Sequence, residues 1–264
     1  MMGESIVVTS GKGGVGKSTT SVNIGTALAL AGKRVCLVDT DIGLRNLDVL
    51  MGLENRIIYD LIDVVDERCD LKKALIKDKR CNDLYLLAAA QTKDKSSITA
   101  NQLRRIIAEL KDDFDYVVID SPAGIELGFH IAASGADQAI VVTTPENAAV
   151  RDADRVVGLL EKEKLPTPKL VINRIKSHLT KNGGMMNVDE VVAVLAINLL
   201  GVVPDDEQVI RAGNLGEPIA FDNSPAGKAY RNIARRIQGE MVPLLVFDKD
   251  VSMFDRMKKW LGFA

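Results

Sequence analysis

Short apolar runs alternate along this chain with longer segments in which apolar residues recur every three or four positions. Runs at 6–10, 34–39, 84–88, 116–120, 139–143, 170–173 and 200–203 predict strands. Val22, Ile24, Ala27, Leu28 and Ala31 carry a helical pattern that Gly32 closes. Further helices are predicted around 57–65, 99–110, 148–163, 188–197 and 225–241. Most of the strand runs are apolar on both alternating faces, as in RVCLVD at 34–39, which is the pattern of strands covered on both sides. Strand and helix in alternation predict an α/β fold: one mostly parallel sheet with helices on both faces.

At 264 residues and 47% hydrophobic, the chain can bury one large core. The rhythm breaks after residue 246, so the expected organisation is a single domain over 1–246, a short linker at 247–250 and a tail at 251–264. A net charge of −2 argues against a protein that coats nucleic acid by electrostatics. The three cysteines, Cys36, Cys69 and Cys81, show no C-x-x-C spacing and suggest neither a zinc site nor a disulfide framework. Glu4 and the early end of the first apolar run argue against a signal peptide, and no run is long enough to span a bilayer. The expected location is the cytoplasm.

The chemistry concentrates between the first strand and the first helix, where GKGGVGKST occupies 11–19. Gly11, Gly16, Lys17 and Ser18 fill the fixed positions of the phosphate loop, G-x-x-x-x-G-K-S/T. Gly13, Gly14 and Val15 complete the loop, whose glycines let successive N–H groups turn toward phosphate oxygens, and Thr19 opens the helix whose free N–H groups face the same anion. Lys17 is expected to bridge the terminal phosphates of a nucleotide and Ser18 to offer its hydroxyl to Mg²⁺. Ligands on such sheets bind beyond the carboxyl ends of the strands. There Asp39 and Asp41 follow the second strand, and Asp120 ends YVVID as a Walker B carboxylate placed to hold Mg²⁺. Asp also caps helices and turns, a reading that stays open for Asp39 above all.

Lys12 is not required by the general phosphate loop, and with it the stretch reads K-G-G-x-G-K-S. In this the chain resembles the deviant Walker A ATPases of the MinD/ParA group, septum site-determining ATPases among them. The resemblance extends to DTDIGLRNLD at 39–48 and DSPAG at 120–124, which are similar to the two switch loops of that group. It implies ATP and Mg²⁺ as cofactors and an ATP-dependent homodimer in which Lys12 reaches the partner's nucleotide. It also implies that Asp41 orients the attacking water and helps hold the metal, and that Asn46 lies on the nucleotide-facing dimer surface. Asn173 and Arg174, with Pro204 and Asp205, match positions that contact adenine in relatives. The N-K-x-D base motif of Ras-type GTPases does not appear at NR.

The last fourteen residues, VSMFDRMKKWLGFA, place Met253, Phe254, Met257, Trp260 and Leu261 on one helical face. Arg256 and Lys258 flank that face, while Lys259 points away. From the pattern alone this is either a helix docked on its own core or one that lies in a membrane interface. The resemblance favours the second, with Met253, Phe254, Met257, Lys258, Lys259, Trp260 and Leu261 on an anionic inner membrane surface. It further implies a MinC-like septation inhibitor and a MinE-like activator as partners. Two rival readings remain within the same family. A DNA-partitioning ATPase would draw on Arg231, Arg235 and Arg236, and an electron-transfer ATPase would need cysteines near the switch loops, where none lies.

Overall fold

The computed structural model describes residues 2–245 apart from 177, 178, 181 and 182; the predicted linker and tail lie outside the described residues. Eight strands form one sheet: β1 (Glu4–Thr9), β2 (Val35–Asp39), β3 (Ile76–Lys77), β4 (Leu84–Leu87), β5 (Tyr116–Asp120), β6 (Gln138–Thr143), β7 (Lys169–Ile175) and β8 (Asn198–Pro204). Their order is β3-β4-β2-β5-β1-β6-β7-β8. All neighbours are parallel except β3, which pairs antiparallel with β4. Strand β1 is therefore central, and whatever follows its carboxyl end stands at the middle of the sheet edge.

Period-two burial explains why these strands tolerate no polar face. Val7, Cys36, Val38, Val117 and Ile119 face one apolar cluster, while Ile6, Val8, Leu37 and Val118 face the other. The first cluster is closed by the helices Ala100–Asp113, Leu127–Ser134, Asn147–Lys162 and Val188–Leu195. The second is closed by α1 (Lys17–Leu30) and by the helix Pro225–Ile237. Thr99 and Asn187 begin two of these helices with reciprocal capping boxes to Gln102 and Glu190.

The expected elements are present, with two differences. The helical segment expected at 57–65 is helical only over Leu61–Val65, because Asp60 and Asp63 form a capping box that starts the helix there. The last expected helix stops at Ile237, four residues short of 241.

Strand β8 is an edge strand, and its register with β7 slips so that Leu200 is the extra residue between the pairs Leu170–Leu199 and Val171–Gly201. The Leu200 carbonyl accepts instead from Arg236 Nη1 at 3.0 Å, and the same guanidinium donates to the carbonyls of Val242 and Pro243 at 2.8 and 2.7 Å. No helix among the described residues is long and apolar enough to cross a membrane.

Candidate functional site

The loop after β1 carries the phosphate-loop residues to the centre of the carboxyl edge. Gly16 has φ +92°, and a Cβ there would come within 2.2 Å of Asn173 Nδ2. Glycine is required on both counts. Asn173, two residues before the end of β7, donates from Nδ2 to the Val15 carbonyl at 2.8 Å and so pins the loop from the side. Its Oδ1 accepts from the Arg174 N–H at 2.9 Å, which helps hold Arg174 at φ +55° with its side chain exposed.

Three predicted residues converge. Lys17 Nζ stands 3.0 Å from Asp120 Oδ2 in a buried ion pair, and Ser18 Oγ donates to the same oxygen at 2.7 Å. Ser21, which sequence reading missed, donates to Asp120 Oδ1 at 2.6 Å. The signal for it was available: Ser21 lies four residues after Lys17, on the same helical face. A hydroxyl and a carboxylate side by side form a hard-oxygen donor set, which suits Mg²⁺ bound to nucleotide phosphates.

Asp39 lies beside Asp120, its cross-strand partner in register. Its carboxylate accepts three backbone N–H groups: Asp41 at 2.9 Å, Asn46 at 3.0 Å and Leu47 at 3.2 Å. Burial, and then the charge of Asp120, push its pKa up to about 7. Asp39 thus shapes the loop that carries Asp41, which is itself buried. Thr40, also missed from sequence, ties this loop to β5 by donating to the Asp120 carbonyl at 2.7 Å. The loop after β5 is tied to the phosphate loop in turn, since Gly124 N donates to the Ser10 carbonyl at 3.1 Å.

The remaining predicted residues are spread along the same edge. Lys12 and Asn46 are exposed. Pro204 ends β8, and Asp205 pairs with Lys176 at 3.2 Å while its N–H donates to the Ile175 carbonyl. The proposed membrane residues, 253–261, lie outside the described residues. A cleft of about 590 Å³ near Arg80, Gln208, Arg211 and Phe221 contains none of the phosphate-loop residues. The chemistry argues for the loop and not the cleft, because only the loop joins a lysine, a hydroxyl and a carboxylate at one point.

The three arginines that would serve DNA are each engaged within the chain. Arg231 donates to the Ala220 and Asp222 carbonyls, Arg235 pairs with Glu240 at 2.8 Å, and Arg236 holds the edge of β8. Cys36 is buried in β2, where desolvation drives its thiol pKa far upward, and it is remote in function from a cluster ligand.

Comparison with known proteins follows the same lines. The family model described as ParA, NUBPL iron-transfer P-loop NTPase, matches residues 2–238. The septum site-determining protein MinD of Bacillus subtilis (strain 168) is 63% identical over 265 residues, covering 99% of each chain. A MinC:MinD cell division protein complex from Aquifex aeolicus contains a chain 47% identical, with a TM-score of 0.86 over 92% of this chain and 99% of that one. The septum site-determining protein MinD of Pyrococcus horikoshii OT3, solved with Mg-ADP, is 27% identical, with a TM-score of 0.82 over 89% of this chain and 96% of that one.

Proposed function

This chain belongs to the MinD branch of the ParA family of P-loop NTPases, and from that premise we propose that it is an ATP-driven membrane switch that positions the division site. The observation that carries the reading is the convergence of Lys17, Ser18 and Asp120 at the end of the central strand. Lys17 exchanges its carboxylate partner for phosphate oxygens when ATP binds, and the curled backbone of 11–16 donates to the rest of the triphosphate. Bound Mg²⁺ neutralises phosphate charge, and Ser18 and Asp120, with Asp41 assisting, are the residues that would hold it. Asp41 orients the attacking water from a loop that Asp39 keeps in shape. Asn173, Arg174, Pro204 and Asp205 receive the adenine.

Lys12, exposed at the rim of the loop, reaches the nucleotide of a second protomer, so that catalysis waits on dimerisation. The dimer then presents two tails at 251–264 to an anionic inner membrane surface. One tail gives marginal affinity, whereas two on one body raise avidity roughly 10²- to 10⁴-fold. The Aquifex complex supports a MinC-like partner; on this reading the ATP dimer recruits it as a septation inhibitor, and a MinE-like activator would end the cycle by stimulating hydrolysis.

Sedimentation with anionic liposomes tests this. The full chain pellets with ATP and stays in solution with ADP, and a chain ending at residue 250 stays in solution with both. Equal pelleting in ADP, or pelleting of the shortened chain, would overturn the switch.

A further inference from the structure

The loop at 39–46 and the segment at 204–205 follow β2 and β8, which are five strand spacings apart in the sheet, or roughly 24 Å. Yet the short helices that follow them meet across one face. Helix α2 (Leu47–Met51) packs against the helix Glu207–Asn214, and the chain just beyond each closes the contact. Gly52 and Gly216 touch through their backbones: a Cβ on Gly216 would lie 2.5 Å from the Gly52 Cα. Both have positive φ, +62° and +64°, so the approach depends on two glycines.

A third element straps the junction. Arg80, in the turn between β3 and β4, donates from Nη1 to the Gly216 carbonyl at 2.7 Å and from Nη2 to the Met51 carbonyl at 2.6 Å. Its orientation is fixed by Asp78, whose side chain is fully buried and pairs with Nη2 at 3.0 Å. The guanidinium also stands 5.4 Å from the centre of the Phe221 ring. One planar fork therefore joins the C-terminal end of α2 to the C-terminal end of the helix Glu207–Asn214.

The other ends of these two helices lie at the functional loops. Asp39 holds the N-terminus of α2 through the Asn46 and Leu47 N–H groups, and it holds Asp41 through the same carboxylate. Asp206, adjacent to Asp205, caps the second helix by accepting from the Gln208 N–H at 3.0 Å. With five residues, α2 is a strut about 7 Å long. We propose that Arg80 is a positioning residue for specificity: it locks the segment that receives the base to the loop that orients the attacking water, so that hydrolysis reads which base is bound. This rests on the assignment of Asp205 to the base and of Asp41 to the water.

The test measures kcat and KM for ATP and for GTP in the full-length protein with anionic vesicles. The variants are Arg80→Gln, Asp205→Ala and the pair together. Arg80→Gln is expected to lower kcat for ATP on the order of tenfold, with KM within about threefold, and to narrow the ATP-over-GTP ratio in kcat. The double variant is expected to be no slower than the slower single variant, since both break one linkage. Arg80→Lys keeps the cation near Phe221 but lacks the rigid planar fork that holds both carbonyls in one geometry, so it should behave as Arg80→Gln does and serves where that variant does not fold. An equal loss for ATP and GTP, no loss, or losses that multiply in the double variant would overturn the coupling. An unchanged ATP preference in Asp205→Ala would instead sink the base assignment, whatever Arg80 shows.

Discussion

Asp39 and Asp120 sit side by side at the ends of neighbouring strands, both fully buried, and they hold different things. Asp120 accepts from the side chains of Lys17, Ser18 and Ser21. Asp39 accepts from the main chain of Asp41, Asn46 and Leu47. Side-chain partners can turn to an incoming phosphate or cation by changing rotamer while the backbone stays in place. Main-chain partners cannot leave without remodelling the loop. That loop is already strained, with Arg45 at φ +37° and ion-paired to buried Asp48 at 2.8 Å. The first carboxylate is thus suited to exchange ligands, and the second to keep a loop in one shape.

The largest expected effect attacks the exchangeable side. Lys17→Ala removes charge-assisted bonds worth about 1.5–3 kcal/mol each and should weaken ATP binding roughly 100-fold. Calorimetric titration showing unchanged affinity would remove Lys17 from the site. Next, Asp39→Ala strands three N–H groups at about 1–3 kcal/mol each, offset in part by relief of the repulsion from Asp120. A stability loss of about 3 kcal/mol in urea denaturation is expected, and a loss under about 0.5 kcal/mol would show that the loop holds itself.

The third effect is a pH dependence. Asp39 rises from the ordinary 3.8 to about 7 on folding, so between those values the folded state binds more protons than the unfolded one. Its contribution is therefore complete below about pH 4 and is lost as pH rises through 7. Nucleotide-free protein should be more stable at pH 5.5 than at pH 7.5, with Asp39→Asn flattening that slope; an unaltered slope would assign it to another group. The smallest effect tests the redundancy around Asp120. Ser21→Ala leaves Lys17 and Ser18 in place, should cost about 1 kcal/mol, and should leave ATP affinity within about twofold. A loss as large as that of Asp39→Ala would erase the contrast between the two carboxylates.

The phosphate loop and Asp120 were legible because glycine, lysine and hydroxyl at fixed spacing, and a carboxylate after an apolar run, are local signals. Helix α1 was legible from Val22, Ile24, Ala27, Leu28 and Ala31 together with the loop before it, but its burial on nearly every side was not. Helix Leu47–Met51 spans little more than one turn, too short for a repeat to establish itself. The two-residue β3 is set by its pairing with β4 alone. Asp39 could be placed by its strand but not given a role, because its partners are N–H groups that every residue possesses. Arg80 is invisible for a related reason: its acceptors are carbonyls 29 and 136 residues away in the chain.

The fork of Arg236 on the bulged edge of β8 bears on how copies of this chain behave when crowded. A strand whose edge lies open to solvent templates foreign strands. Arg236 donates to the Leu200 carbonyl of that edge and ties it to the chain at 242–243. The carbonyl that the bulge sets free is thus closed to a foreign strand.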